Sequence, residues 1–196
     1  MSSGSHGRRR YLSMRVIAGS LKGRKLKTPT WDGLRPTSDK LRETLFNVLA
    51  ARVAGARVLD GYAGTGAVGI EAISRGAAHV TFVESDRRAL ELITANLASC
   101  GIESGYSMLP SNAARAFRTL ATSSPFVPFD LILLDPPYEL SPAESLAGAD
   151  LLVAPDGWVV LEHARRVAVP DHEGRLLRTR DLRSGDSALA FYTCQH

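Results

Sequence analysis

The chain has 196 residues, of which 44% are apolar and 22% are charged, and this composition is typical of a globular domain. A chain of this length buries enough surface to fold without disulfides or structural metals. No apolar run approaches the roughly 20 residues of a membrane span, and no secretory signal follows the basic start, so we expect neither a membrane protein nor a secreted disulfide scaffold. Cys100 and Cys194 fit no metal-ligand or redox spacing, so we expect reduced thiols in a cytoplasmic protein.

The charged residues are distributed unevenly along the chain. Residues 1–52 contain twelve Lys and Arg against three Asp and Glu, whereas residues 53–196 contain twelve against seventeen. A basic first quarter on a mildly acidic remainder suggests that the N-terminal part meets an anionic macromolecule such as a nucleic acid. A solvated basic surface that aids solubility explains the charge alone equally well.

The N-terminal quarter predicts a short hairpin followed by a helix. Residues 1–13 predict an unstructured leader. Two short alternating runs at residues 15–18 and 25–29 flank a glycine turn and predict a β-hairpin. Apolar residues at three-and-four spacing up to Val53 predict an amphipathic helix that begins at Thr37 or Ser38. We therefore divide the chain into a basic unit at residues 14–54 and a core at residues 55–196.

Seven short apolar runs in the core have the length of strands, and helical stretches separate most of them. The predicted strands are residues 57–61, 79–84, 106–110, 129–135, 158–162, 176–182 and 188–194. The predicted helices begin near Gly66, Asp86, Asn112 and Ser141. This alternation predicts an α/β fold with a doubly wound, mostly parallel, seven-stranded sheet whose last two strands form an antiparallel hairpin. Such sheets bind ligands beyond the carboxyl ends of their strands.

A glycine-rich segment, residues 60–69, follows the first predicted core strand. Read from Gly64, it matches the G-x-G-x-x-G fingerprint of dinucleotide-binding folds, and Asp86 lies about where such folds place a ribose-binding acid. The same segment begins with Asp60, and an acid directly before the glycines suits a ligand with a cationic amino-acid end. S-adenosylmethionine has that shape, so two cofactors compete for this loop.

The S-adenosylmethionine interpretation gives each strand end a role. Asp60 faces the ammonium group of the ligand, and Glu84 accepts both ribose hydroxyls because a carboxylate accepts several hydrogen bonds. Asn112 offers an amide to the adenine, although a helix N-cap explains that residue equally well. The predicted cofactor-binding residues are Asp60, Gly61, Ala63, Gly64, Gly66, Glu84, Ser85, Asn112, Ala113 and Asp135.

Asp135, Pro136, Pro137 and Tyr138 follow the fourth predicted core strand and are the predicted catalytic residues. The prolines fix φ and donate no amide hydrogen. A carboxylate beside a backbone carbonyl can accept both hydrogens of an exocyclic amine, and a tyrosine ring gives the base a face on which to stack. An ordinary tight turn is the alternative. The combination at a strand end favours a site for methylating a nucleobase amine, and it resembles the motif of amino-methyltransferases.

Four further segments resemble the bacterial 16S ribosomal RNA guanine-N2 methyltransferase family. They are RVIAG at residues 15–19, LRPT at 34–37, RETLFN at 42–47 and AGTGA at 63–67. The resemblance implies a class I methyltransferase fold that uses S-adenosylmethionine and acts on a guanine of 16S ribosomal RNA in the small subunit or an assembly intermediate. We expect a monomer without a metal. The residues expected to contact RNA are Arg15, Lys22, Arg24, Lys25, Lys27, Arg35 and Thr37.

Three other functions stay open at this point. An adenine-N6 DNA methyltransferase shares the acid-diproline-aromatic motif, but it normally has a sizeable target-recognition domain, and no stretch of this chain is left over for one. A non-catalytic RNA-binding or ribosome-assembly factor would keep the fold without needing Asp135, Tyr138 and Glu84 together. A nicotinamide dehydrogenase would bind a dinucleotide at the glycine-rich segment.

Overall fold

The computed structural model describes residues 14–31, 34 and 37–195, so the predictions for residues 1–13 and for Arg35 and Pro36 lie outside the described residues. The α-helices are Asp39–Val48 (α1), Ala50–Val53 (α2), Ala67–Ser74 (α3), Arg87–Cys100 (α4), Ala113–Ala121 (α5) and Pro142–Leu146 (α6). The β-strands are Met14–Arg15 (β1), Lys25–Leu26 (β2), Arg57–Asp60 (β3), His79–Glu84 (β4), Tyr106–Pro110 (β5), Phe129–Leu134 (β6), Val153–Ala164 (β7), His172–Glu173 (β8), Leu176–Ser184 (β9) and Ser187–Cys194 (β10).

Eight of these strands form one sheet in the order β5-β4-β3-β6-β7-β10-β9-β8. The first five strands in this order are parallel, and the pairs from β7 onwards are antiparallel. The chain adds strands first on one side of β3 and then on the other: β4 and β5 lie on one side, and β6 and β7 lie on the opposite side. In doubly wound sheets this reversal opens a crevice at the carboxyl ends of the strands, which is where ligands bind.

Helices cover both faces of the sheet. Side chains along β3 alternate between the faces, so Val58 points to one face and Leu59 to the other. The face of Val58 packs against apolar residues of α1, α3 and α4, and the face of Leu59 packs against α5 and α6. Burial on both faces explains why these strands have continuous apolar sequences, and it confirms the predicted doubly wound α/β fold.

The structure corrects the strand count from seven to eight. The additional strand, β8, has two residues that pair with β9 at the edge of the sheet. Two residues are too few to produce an alternating pattern in the sequence. The predicted continuous helix up to Val53 is also two helices, because α1 ends at Val48 and α2 begins at Ala50.

Strand β7 begins earlier than the sequence predicts. Phe129 pairs with Val153 and Leu131 pairs with Trp158, so residues 154–157 form an irregularity between these two pairs. This segment reads Ala-Pro-Asp-Gly. Proline and glycine are typical of turns and also of β-bulges, and here they mark a bulge inside a strand rather than a turn before it.

The N-terminal hairpin is attached to the core through Glu71 of α3. The backbone N–H groups of Ile17 and Ala18 donate to the two carboxylate oxygens of Glu71 at 2.7 and 3.0 Å. Glu71 is fully buried, and it also accepts a hydrogen bond from Nε of Arg75 at 2.8 Å. A buried carboxylate therefore has three donors, two of which come from the hairpin.

Two further polar side chains hold the hairpin, one from the core and one from α1. Asn96 of α4 accepts from the backbone N–H of Lys27 at 2.7 Å and donates to the carbonyl oxygens of Lys27 and Thr65. Arg42 of α1 is fully buried, and it donates to the carbonyl oxygen of Arg15 at 2.6 Å and to Asp39 at 2.8 Å. The hairpin is thus held through its backbone, which leaves its basic side chains exposed. Among the described residues, no helix is both long enough and apolar enough to span a membrane.

Candidate active site

A cavity with a volume of about 1210 Å³ lies at the carboxyl ends of the parallel strands. It brings together most of the predicted site residues. Those that line it are Thr37, Gly61, Ala63, Gly64, Glu84, Ser85, Asn112, Ala113, Asp135, Pro136, Pro137 and Tyr138. Asp60 and Gly66 are not among its lining residues. The strand ends therefore converge on one space that is large enough for both a nucleoside cofactor and a base.

The backbone N–H groups of the glycine-rich segment between β3 and α3 donate hydrogen bonds to other atoms of the protein. Gly61 N–H donates to the carbonyl of Leu133, Ala63 N–H to that of Val83, and Gly66 N–H to that of Ala63, at 2.7–3.0 Å. Gly64 N–H donates to Glu84 at 2.9 Å. A pyrophosphate-binding loop needs backbone N–H groups that point at the ligand. These four N–H groups already donate to protein atoms, so the loop suits a ligand without a pyrophosphate. This favours S-adenosylmethionine over a dinucleotide.

Two positions in this loop have a backbone conformation that requires glycine. Gly64 and Gly66 have φ of +53° and +77°, a left-handed conformation that other residues rarely adopt. A Cβ at Gly66 would also lie 3.2 Å from two carbon atoms of Ile93, so a larger residue there would press on α4. The role of Gly66 is therefore to turn the chain into α3.

Glu84 ends β4 and already accepts three backbone hydrogen bonds. Gly64 N–H donates to Oε2, and the N–H groups of Ser85 and Asp86 donate to Oε1 at 2.7 and 2.8 Å. A carboxylate has about four lone-pair positions, so one position remains at Oε2. This position is open to one donor, so the predicted ribose contact stays a prediction. The predicted contact with both hydroxyls requires one of the three amide bonds to open.

Asp60 lies beneath the loop rather than at the cavity wall. Its side chain is buried, and Oδ2 accepts a hydrogen bond from Gly69 N–H at 3.0 Å. Burial raises the pKa of this carboxyl from its ordinary 3.8 to about 7, the Gly69 hydrogen bond opposes the shift, and the charges of Asp135 and Glu84 add to it. The predicted contact with the ammonium group therefore stays a prediction, and the observed contact of Asp60 is with the start of α3.

Asn112 is the N-cap of α5, as one of its two sequence interpretations predicts, and its contact with adenine stays a prediction. Its Oδ1 accepts from Arg115 N–H at 2.9 Å and caps α5. The same residue lines the cavity. Since the cap uses the oxygen, the Nδ2 amide is the group that can donate to an adenine edge.

The Asp135–Tyr138 turn continues directly from β6 into the cavity wall. Thr37 Oγ1 donates a hydrogen bond to Asp135 Oδ2 at 2.6 Å. Tyr138 is 65% exposed. Such an exposed aromatic beside a carboxylate, on a turn stiffened by two prolines, can stack a base while the acid accepts from the amine of that base.

Carboxylates dominate the lining of the cavity. Among the described lining residues, Lys40 and Arg88 are the only cationic side chains, and Arg88 is paired with Asp86 at 2.7 Å. The acidic lining residues are Glu84, Asp86, Asp135, Glu139, Glu144, Glu162 and Asp186. A concave, acid-lined surface attracts cations and repels phosphates. This charge suits the sulfonium and ammonium groups of S-adenosylmethionine.

Comparison with known proteins identifies the family. Residues 14–193 match the family model described as conserved hypothetical protein 95. The chain is 37% identical over 182 residues to the "Putative rRNA methyltransferase YlbH" of Bacillus subtilis, covering 91% of this chain and 98% of that protein. It is 38% identical over 149 residues to the "Ribosomal RNA small subunit methyltransferase D" of Escherichia coli, covering 76% and 71%. The chain belongs to this family of ribosomal RNA methyltransferases.

The fold agrees with this membership. The solved structure of the "Putative methyltransferase yhhF" of Escherichia coli superposes with a TM-score of 0.80 at 29% identity, covering 93% of this chain and 98% of that one. The mostly parallel sheet flanked by helices is the class I S-adenosylmethionine-dependent methyltransferase fold, as the resemblance in the sequence implies.

The residues predicted to contact RNA fall into two groups in this methyltransferase. The hairpin residues are exposed side chains on the unit that packs against α3 and α4; they are Arg15, Lys22, Arg24, Lys25 and Lys27. Thr37 lies instead in the cavity and contacts Asp135. Arg35 lies outside the described residues, so its role stays a prediction.

Sequence reasoning missed two cavity residues of the methyltransferase that precede Thr37. Trp31 and Leu34 line the cavity, and the guanidinium of Arg88 lies 5.0 Å from the centre of the Trp31 ring. A Cβ on Gly64 would be 3.2 Å from Leu34 Cδ1, so Leu34 covers the glycine loop. These contacts join residues far apart in the chain, and no local spacing could have indicated them.

Proposed function

We propose that this protein transfers a methyl group from S-adenosylmethionine to the exocyclic N2 of a guanine in 16S ribosomal RNA. The observation that carries the proposal is the Asp135–Tyr138 turn, which borders the same cavity as Glu84 and the glycine loop. The names of both relatives support ribosomal RNA as the substrate, and that of the Escherichia coli relative supports the small subunit. The choice of guanine N2 is supported by the resemblance of the sequence motifs.

The donor groups of the cavity fit S-adenosylmethionine. Glu84 has one acceptor position for a ribose hydroxyl, and Asn112 Nδ2 is available to the adenine. The engaged amides of the glycine loop and the acidic lining suit a cationic ligand. When bound, this cofactor supplies a sulfonium methyl group, and the N2 lone pair forms the new N–C bond as the C–S bond breaks, leaving S-adenosylhomocysteine and a proton to be lost from nitrogen.

Asp135 and its neighbours act on the guanine. The Asp135 carboxylate and the Pro136 carbonyl accept the hydrogens of the amine, which orients the nitrogen lone pair away from them. The carboxylate also stabilises the positive charge that develops on nitrogen, and it can receive the proton after the bond has formed. Tyr138 stacks on the base once the base has left its surroundings. No covalent bond between enzyme and substrate is needed.

The basic hairpin binds the rest of the substrate in this proposal. Its exposed Lys and Arg side chains lie on a unit that continues through Trp31 and Leu34 to the cavity. Phosphates neutralised by these side chains would give affinity without sequence discrimination. Selection of one guanine then depends on the shape of the RNA, which favours a folded particle over free RNA.

Transfer of labelled methyl groups to small ribosomal subunits that lack their own base methylations tests the proposal. Free ribosomal RNA and DNA serve as parallel substrates, and the product nucleosides are identified. We expect N2-methylguanosine in the subunits. N6-methyladenine in the DNA would instead assign a DNA methyltransferase. Measurable S-adenosylmethionine binding without transfer to any substrate would favour a non-catalytic factor, and binding of NAD in its place would favour a dehydrogenase.

A further inference from the structure

The hydroxyl of Thr37 lies on the carboxylate that the proposed reaction uses. Thr37 Oγ1 donates to Asp135 Oδ2 at 2.6 Å, and the two residues are 98 positions apart in the chain. Both residues line the cavity. A hydrogen bond from a hydroxyl to an ionised acceptor is short and roughly twice as strong as a neutral one. This contact joins the N-terminal unit to the catalytic turn.

The structure around Thr37 holds its backbone in place. Ser38, the next residue, caps α1 by accepting from Leu41 N–H. Arg42, in the same helix, is fully buried and hydrogen-bonded to the carbonyl of Arg15 and to Asp39. The start of α1 is therefore fixed by a cap and by a buried arginine. A threonine at this point presents its hydroxyl from a rigid frame.

We propose that Thr37 is a positioning residue that holds the Asp135 carboxylate in the orientation needed for methyl transfer. The inference rests on the proposed function and changes the sequence-based expectation that Thr37 contacts RNA. Each oxygen of a carboxylate can accept more than one hydrogen bond, so the bond from Thr37 is compatible with acceptance from a base amine. A fixed carboxylate avoids the cost of ordering it during the reaction, and a misplacement of about 1 Å can cost about 100-fold in rate.

The position of Thr37 also gives the RNA-binding unit an effect on catalysis. The hairpin, α1 and Thr37 belong to one packed unit, since Arg42 joins the hairpin strand to α1. RNA that binds the hairpin therefore contacts the same unit that orients Asp135. In this unit, the hairpin side chains determine the affinity for RNA and Thr37 affects the rate of the chemical step. Separate substitutions can therefore change each quantity alone.

Steady-state kinetics of Thr37→Val and Thr37→Ser test the assignment in the full chain, with S-adenosylmethionine and small ribosomal subunits as substrates. Valine has nearly the same shape as threonine but no donor. We expect Thr37→Val to lower kcat by about 10- to 100-fold with both KM values within about twofold of wild type. Thr37→Ser keeps the donor and should retain kcat within about threefold.

Thr44→Val is the matched control, because Thr44 lies on α1 and its hydroxyl donates to the carbonyl of Lys40 rather than to the site. It should leave kcat and both KM values unchanged. Thermal unfolding of each variant shows whether a loss of kcat accompanies a loss of fold, and the serine variant keeps the test informative if the valine variant is unstable.

Several outcomes would overturn the inference. Wild-type kcat in Thr37→Val with a raised KM for subunits would assign Thr37 to RNA binding. Equal losses in the serine and valine variants would show that the hydroxyl is not the important group. Failure of the proposed function is distinguishable from these results, because wild-type protein would then transfer no methyl group to the subunits.

Discussion

Replacement of Asp60 by Asn should remove a pH dependence from the stability of the folded protein. Asp60 is 2% exposed, and burial is the main cause that raises its pKa from 3.8 to about 7. The folded state therefore holds this proton more tightly than the unfolded state does. The resulting stabilisation is fully present below about pH 3.8 and is lost as the pH rises through about 7.

The size of the effect follows from the two pKa values. They differ by about three pH units, and each unit corresponds to about 1.4 kcal/mol, so the whole effect is about 4 kcal/mol. Between pH 4.5 and 7.5, the part accessible to measurement is about 3 kcal/mol. In the Asn variant this contribution is absent, and the Asn oxygen can still accept from Gly69 N–H. The variant should therefore gain stability relative to wild type as the pH rises.

Urea unfolding at half-unit intervals from pH 4.5 to 8.5, followed by circular dichroism, measures this difference. Asp86→Asn is a useful control, because hydrogen bonds from Arg88 lower the pKa of Asp86. The stability that the ionised Asp86 contributes is lost only as the pH falls below the ordinary pKa of an Asp carboxyl, 3.8. The difference in unfolding free energy between this variant and wild type should therefore stay constant above pH 5. A constant difference between wild type and Asp60→Asn over the same range would refute the reasoning about the buried carboxyl.

Four further predictions concern binding and catalysis. S-adenosylmethionine should bind more tightly as the pH rises from 6 to 8, because a cationic ligand favours the ionised form of Asp60, and a calorimetric titration should find no such dependence in Asp60→Asn. Asp135→Ala should lower methyl transfer by at least about 100-fold while S-adenosylmethionine still binds, and normal turnover would contradict its role. Tyr138→Ala should lower kcat/KM by about 5- to 150-fold and Tyr138→Phe by little, since stacking is worth about 1–3 kcal/mol per base; equal losses would argue against stacking. Lys25→Ala with Lys27→Ala should reduce the slope of log affinity against log salt for subunits by about 1–2, whereas an unchanged slope would place the RNA elsewhere.

The core of the fold was predictable because its signals are local. Strands buried on both faces have continuous apolar sequences, and the helices between them begin at Asp86, Asn112 and Ser141, whose side chains cap them as the sequence suggests. The convergence of the strand ends then follows from the topology of parallel sheets. The Asp135–Tyr138 turn was found for the same reason, since its four residues are adjacent in the chain.

The features that sequence reasoning missed depend on contacts between distant residues. The hydrogen bond from Thr37 to Asp135 joins two segments that no periodicity relates. The burial of Asp60 and its hydrogen bond from Gly69 N–H also depend on packing that the sequence does not show, and its contact with the ammonium group stays a prediction. The predicted strand at residues 158–162 omits the first part of β7, because a bulge that contains proline and glycine interrupts the apolar pattern after Val153.

The buried Glu71 carboxylate makes the basic hairpin a part of the folding unit rather than an appendage. Two of its three hydrogen-bond donors come from residues 17 and 18. A chain without these two residues would leave two hydrogen bonds of a buried side chain unmade, at a cost of about 1–3 kcal/mol each, which is a large share of the stability of a typical domain. The hairpin therefore folds together with the core, and in the proposed function its RNA contacts are changed by substitution of its exposed side chains.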